Sequence, residues 1–102
     1  MKIEVRAADL PGSDAIIEHV NKRVHAAIHH WESQVTRVEV HLHDDNAKKA
    51  GMDKRCVMEV RLANHQPLVV EDTTDDLYDA VTAAAKKLGT VVQRTLEKLG
   101  RT

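Results

Sequence analysis

The chain has 102 residues, 42% hydrophobic and 30% charged, with a formal net charge of −1; this size and mix suit one soluble domain spanning residues 1–102 with a core of its own. No apolar run is long enough to cross a membrane and no signal segment follows Met1, so a cytoplasmic protein is expected. The near-neutral balance gives bulk charge no role in attracting nucleic acid, and the single cysteine, Cys56, excludes a disulfide framework.

In chain order, Ile3 and Val5 alternate with Lys2, Glu4 and Arg6, which predicts a half-buried first strand. Pro11-Gly12 breaks it, and Ser13 or Asp14 can cap a helix that is expected to run to about Trp31. Within that helix Ile16, Ile17, Val20, Val24, Ala27, Ile28 and Trp31 share an arc of about 120°, at about 100° per residue.

Val38, Val40 and Leu42 alternate with Arg37, Glu39, His41 and His43 in a second strand. The polar stretch DDNAKKAG reads as a loop. Cys56, Met58, Val60 and Leu62 then mark a third strand, and Cys56 reads as a small buried hydrophobe rather than a reactive thiol. A turn at residues 64–66 leads into a short fourth strand, Pro67 to Val70, with Pro67 at its start where the missing N–H is tolerated. Asp72, Thr73, Thr74 and Asp75 are expected to lead into the last helix.

The order β-α-β-β-β-α predicts an α+β fold: a four-stranded mixed sheet with both amphipathic helices on one face. Strands one and two should be parallel, joined by a right-handed crossover, and the rest should form a meander. The opposite sheet face, with Arg37, Glu39, His41, Arg55, Glu59 and Arg61, is expected to be solvated. The α-β-β-β-α portion shares its element order with double-stranded-RNA-binding domains, which read A-form shape and phosphates and need few aromatic residues. With only Trp31 and Tyr78 as aromatics, a base-stacking platform is not expected.

The last helix should bury Leu77, Val81, Ala84, Leu88, Val91, Val92, Thr95, Leu96 and Leu99. Lys87, Arg94, Lys98 and Arg101 drift by only about 60° around it and form one ridge, about 20 Å long. Lys86 falls outside that ridge, toward solvent. On the first helix His19, Lys22, Arg23 and His30 occupy a flank beside the buried stripe. If the helices pack side by side, these basic flanks would border the groove between them or its rim, while Ala83, Gly89 and Thr90 would keep the nearby surface small. A solvated charged edge is the plain alternative.

Two motifs add to this. Asp76-Leu77-Tyr78-x-Ala80-Val81 is followed by Lys87-Leu88, Arg94 and Lys98, and the first helix carries Ala15-Ile16-x-x-His19-Val20-x-x-Arg23. Over essentially its whole length the chain resembles the ribosome hibernation-promoting factor family, also called ribosome-associated inhibitor A or protein Y, with the older label sigma-54 modulation protein. The resemblance implies binding to the small ribosomal subunit, in the channel shared by mRNA and tRNA, and idling of ribosomes under stress or in stationary phase. It implies 16S rRNA contacts by Arg23, Lys87, Arg94 and Lys98, with His29 or His30 standing where the family has a lysine. Ala26 and Thr90 depart from positions that are often basic in the family.

The candidate RNA-binding set is therefore Lys22, Arg23, His30, Lys87, Arg94, Lys98 and Arg101. No DNA or membrane partner, cofactor or metal is expected. The chain ends soon after the last helix, so a short form is expected, one that would need a separate factor to pair ribosomes.

Two other readings remain. One is an interaction module of the same fold that has lost ribosome binding. The other is a metal-binding protein using some of the seven histidines, of which His25 and His29 are spaced i, i+4. No phosphate-binding loop or nucleophile motif points to an enzyme.

Overall fold

The computed structural model describes residues 1–7, 14–44 and 53–101. Pro11-Gly12, the Ser13 cap and the loop lysines Lys48 and Lys49 lie outside them. The elements are β1 (Lys2–Arg6), α1 (Asp14–Ile28), a 3₁₀ segment (His29–Gln34), β2 (Val35–Asp44), β3 (Lys54–Leu62), β4 (Leu68–Thr74) and α2 (Leu77–Lys98). The sheet order is β1-β2-β3-β4, with β1 and β2 parallel and both later pairs antiparallel. The predicted α+β arrangement is the one observed.

Alternation builds the core. Val38, Val40 and Leu42 of β2 meet Cys56, Met58, Val60 and Leu62 of β3 on the covered face, all buried. Ile16, Val20, Val24 and Ile28 of α1 and Ala80, Val81, Ala84, Ala85, Leu88, Val92 and Leu96 of α2 close over them in one cluster. Burial, aided by Asp72, pushes the Cys56 thiol up to about 12, so it is protonated at neutral pH.

Four expectations need correction. The helix α1 ends at Ile28, not near Trp31, because Ile28 leaves the helical backbone (φ −130°, ψ 3°); a 3₁₀ segment follows, itself broken at Trp31 (φ −111°, ψ 25°), as the chain turns into β2. Strand β4 runs on to Thr74, where it pairs with Lys54, so Asp72, Thr73 and Thr74 are strand residues rather than a helix lead-in. Ile17 and Leu99 are 38% and 44% exposed, at the margins of their helices' buried arcs. The outer sheet face is half-buried under ion pairs: Arg37 Nη2 lies 2.9 Å from Glu4 Oε2, and its Nε lies 3.1 Å from Glu39 Oε2. On that face only Arg61 of the residues expected to be solvated is exposed.

That network shifts one titration. Burial pushes the Glu4 carboxyl up, but Arg37, Lys2 and Arg6 together outweigh it and hold Glu4 below the usual carboxylate value. A depressed folded value stabilises the fold above the unfolded value, and that contribution is lost as pH falls through the folded one. Arg37→Gln should therefore raise the Glu4 midpoint in an NMR pH titration, and the stabilities of parent and variant should converge in acid. An unmoved midpoint would refute this account.

Capping fixes the ends of α2. Asp76 accepts bonds from the backbone N–H groups of Tyr78 (2.8 Å) and Asp79 (3.2 Å), an N-cap worth roughly 1 kcal/mol. At the other end Gly100 adopts φ 69°, where the lack of a Cβ removes the penalty. Its N–H donates to Glu97 O (3.1 Å), and that of Arg101 to Leu96 O (2.8 Å). This Schellman turn points Arg101 back toward the β3–β4 connection.

Candidate nucleic-acid interface

The two helices lie side by side on the sheet. Gly89 sets their separation: a Cβ there would meet the Ala27 carbonyl oxygen at 3.1 Å. His19 fastens the same pair near the start of α2. Its Nε2 lies 3.2 Å from the Tyr78 carbonyl oxygen and 3.1 Å from Thr82 Oγ1, and its ring sits 4.9 Å from that of Tyr78. His19 is thus a helix–helix tie rather than a free cation.

Among the described residues, depressions on either side of each helix shape the helical layer. The first, about 570 Å³, runs between the helices and is lined by Arg23, Ala26, Trp31, Lys86, Gly89, Thr90 and Gln93 among others. The second, about 500 Å³, lies on the β4 side of α2, between Asp72, Ala83, Lys86, Lys87, Thr90, Val91 and Arg94. The third, about 540 Å³, lies beside β1 and is lined by Ile3, Lys22, His25 and His29.

The candidate cations therefore separate. Arg23 faces the inter-helix groove, as expected. The ridge on α2 does not: Lys87 and Arg94 line the groove on the far flank, next to β4. Lys22 borders the third depression, away from α2. His30 packs edge-on against Trp31, with ring centroids 5.2 Å apart. Lys98 is exposed one turn beyond Arg94.

Two of the ridge cations already have partners. Lys87 Nζ donates to the Glu71 carbonyl oxygen at 2.9 Å and lies 3.0 Å from Asp72 Oδ2. Arg101 Nη1 donates to the Ala63 carbonyl oxygen at 2.6 Å and is half-buried. The side chains of Arg23, Lys86, Arg94 and Lys98 make no hydrogen bond or ion pair among the described residues.

Lys86 is the residue that sequence reasoning set aside. Projection of one helix puts it on the solvent crest, which is correct. That crest is also the shared wall of two grooves, and only the positions of α1 and β4 reveal it.

The histidines do not converge. His25 and His29 stack at 5.6 Å, and His41 Nε2 lies 3.6 Å from Glu39. Among the described residues no group of three His, Cys, Asp or Glu is placed to hold a metal ion. No helix among them is long and apolar enough to cross a membrane.

A mixed four-stranded sheet carrying two helices on one face is also the fold of two solved proteins. A ribosomal subunit interface protein from Coxiella burnetii superposes with a TM-score of 0.80 at 20% identity, over 93% of this chain and 97% of that one. The N-terminal domain of Protein Y from Thermus thermophilus gives 0.74 at 27% identity, over 93% and 99%. A search of curated proteins finds no match to the sequence. The family model described as Sigma 54 modulation protein / S30EA ribosomal protein matches residues 3–100, and the chain belongs to that family.

Proposed function

We propose that this protein binds the small ribosomal subunit along 16S rRNA, in the channel used by mRNA and tRNA, and idles ribosomes under stress or in stationary phase. The observation that carries the reading is the family match across residues 3–100. The unpartnered cations on the helical layer support it, because a polyanion is the ligand they suit. In this reading the protein is cytoplasmic, is not an enzyme and has no DNA or membrane partner.

Co-sedimentation through a sucrose gradient tests this. The protein should travel with small subunits or whole ribosomes at about 50 mM salt and be released as salt rises toward about 200 mM, since phosphate contacts are salt-dependent. Failure to travel with ribosomes at low salt would overturn the proposal in favour of an interaction module that has kept only the fold. Charge reversal at Lys87 is a poor probe, because a carboxylate there would face Asp72 and the Glu71 carbonyl. Arg94→Glu with Lys98→Glu removes free cations only, and should abolish co-sedimentation in a domain whose circular dichroism is unchanged.

A further inference from the structure

We infer that an RNA strand crosses α2 instead of following it. The sugar–phosphate backbone would pass from the inter-helix groove over Lys86 and Thr90 into the groove beside β4. This rests on the ribosome-binding reading above and specifies the track within it.

The ridge Lys87–Arg94–Lys98–Arg101 is aligned in sequence but is not a continuous anion track. Lys87 pairs with Asp72 and donates to the Glu71 carbonyl, and Arg101 donates to the Ala63 carbonyl. A phosphate arriving at Lys87 must compete with the Asp72 carboxylate, and one arriving at Arg101 must draw its guanidinium off the Ala63 carbonyl.

Three of the unpartnered cations lie on another line, while Lys98 and Lys22 lie off it. Arg23 stands on the α1 wall of one groove, Lys86 on the crest between the two grooves, and Arg94 in the groove beyond. Lys86 and Thr90 line both grooves, so the two depressions meet there.

The crossing point is low. Ala83 and Gly89 carry little or no side chain, and Thr90 Oγ1 is folded back onto the Lys86 carbonyl oxygen at 3.2 Å. A backbone can therefore approach α2 closely while Lys86 and Arg94, about 12 Å apart along the axis, reach its phosphates. Neither groove exposes a large aromatic or aliphatic side chain; Trp31 is half-buried and lies perpendicular to the His30 ring. Arg23, Lys86 and Arg94 supply the positive charge that a phosphodiester chain would take up.

The test compares single variants for binding to a labelled oligouridylate and for ribosome co-sedimentation across a salt series. Arg23→Gln, Lys86→Gln and Arg94→Gln should each lower affinity and flatten the log–log salt slope by about 0.7, one phosphate contact on a single strand. Lys87→Gln and Arg101→Gln should leave the slope unchanged while lowering the melting temperature. Thr90→Trp, which raises the crossing point and keeps every cation, should weaken binding at least tenfold.

If the slope falls in Lys87→Gln and Lys98→Gln but not in Lys86→Gln, the strand follows the ridge and the crossing is wrong, while ribosome binding stands. Competition by polyglutamate as effective as that by oligouridylate would assign the track to an acidic protein instead. A parent that binds oligouridylate with the predicted variant pattern but never co-sediments with ribosomes would retain the track and remove the ribosomal reading. A parent that binds neither removes both.

Discussion

Leu88→Ala should cost about 2–5 kcal/mol of folding stability. Leu88 is fully buried on the sheet-facing side of α2, in the middle of the common core. Truncation removes the transfer free energy of the lost methyl groups and leaves a cavity that the surroundings fill only in part. Strands on one side and a helix tied at Gly89 and His19 on the other leave little freedom to collapse. Domains of this size are stable by about 5–15 kcal/mol, so the loss is a large fraction of the total. Urea denaturation should show a lower midpoint at unchanged slope, and a melting temperature lower by about 4–8 °C for each kcal/mol. A loss below about 1 kcal/mol would show that the core repacks freely around α2.

Gly89→Leu should disturb both folding and binding. A glycine inside a helix is about 1 kcal/mol worse than alanine, so in isolation α2 would gain from any replacement. Packing reverses the sign. Even a Cβ would sit 3.1 Å from the Ala27 carbonyl oxygen, and a backbone atom of a packed helix moves only if the whole helix moves. Leucine must therefore push α1 and α2 apart or bend its side chain into the groove that holds Arg23 and Lys86. Overpacking of this kind typically costs about 1–3 kcal/mol. The expected result is lower stability by denaturation together with ribosome co-sedimentation weakened at least tenfold. Gly89→Ala serves as the graded control and should fall between parent and Leu. A Leu variant as stable and as well bound as the parent would show that the helices do not need this contact.

The regular parts of the fold were legible in the sequence because alternation and helical spacing are local. Strand β1 has the bounds its alternation predicted, and the buried faces of β2 and β3 follow directly from Val38–Val40–Leu42 and Cys56–Met58–Val60. What was not legible depends on partners far along the chain. Trp31 continues the apolar spacing of α1, yet the turn into β2 ends the helix before it. Thr73 and Thr74 look like helix-lead residues and become strand because Arg55 and Lys54 pair with them. Ala80 and Ala85 carry too weak a hydrophobic signal to be placed inside, and α1 and the sheet bury them all the same.

The candidate interface divides in the same way. Helical projection found the basic alignment on α2. It did not find that Lys87 is held by a carbonyl 16 positions earlier, or Arg101 by one 38 positions earlier. A cation's partners decide whether it is available, and those partners are set by tertiary structure.

The bond from Lys87 to Glu71 has a consequence for how copies of the molecule meet. Strand β4 lies at the margin of the sheet, paired on one side only. Open margins of this kind are templates for pairing with a strand of another molecule, and lysines placed over them are a common deterrent. A carbonyl that already accepts a bond from a charged side chain has less to offer an incoming strand. The Lys87 ammonium that looks like one more ligand for RNA thus leaves one acceptor fewer on β4 for a neighbouring strand to pair with.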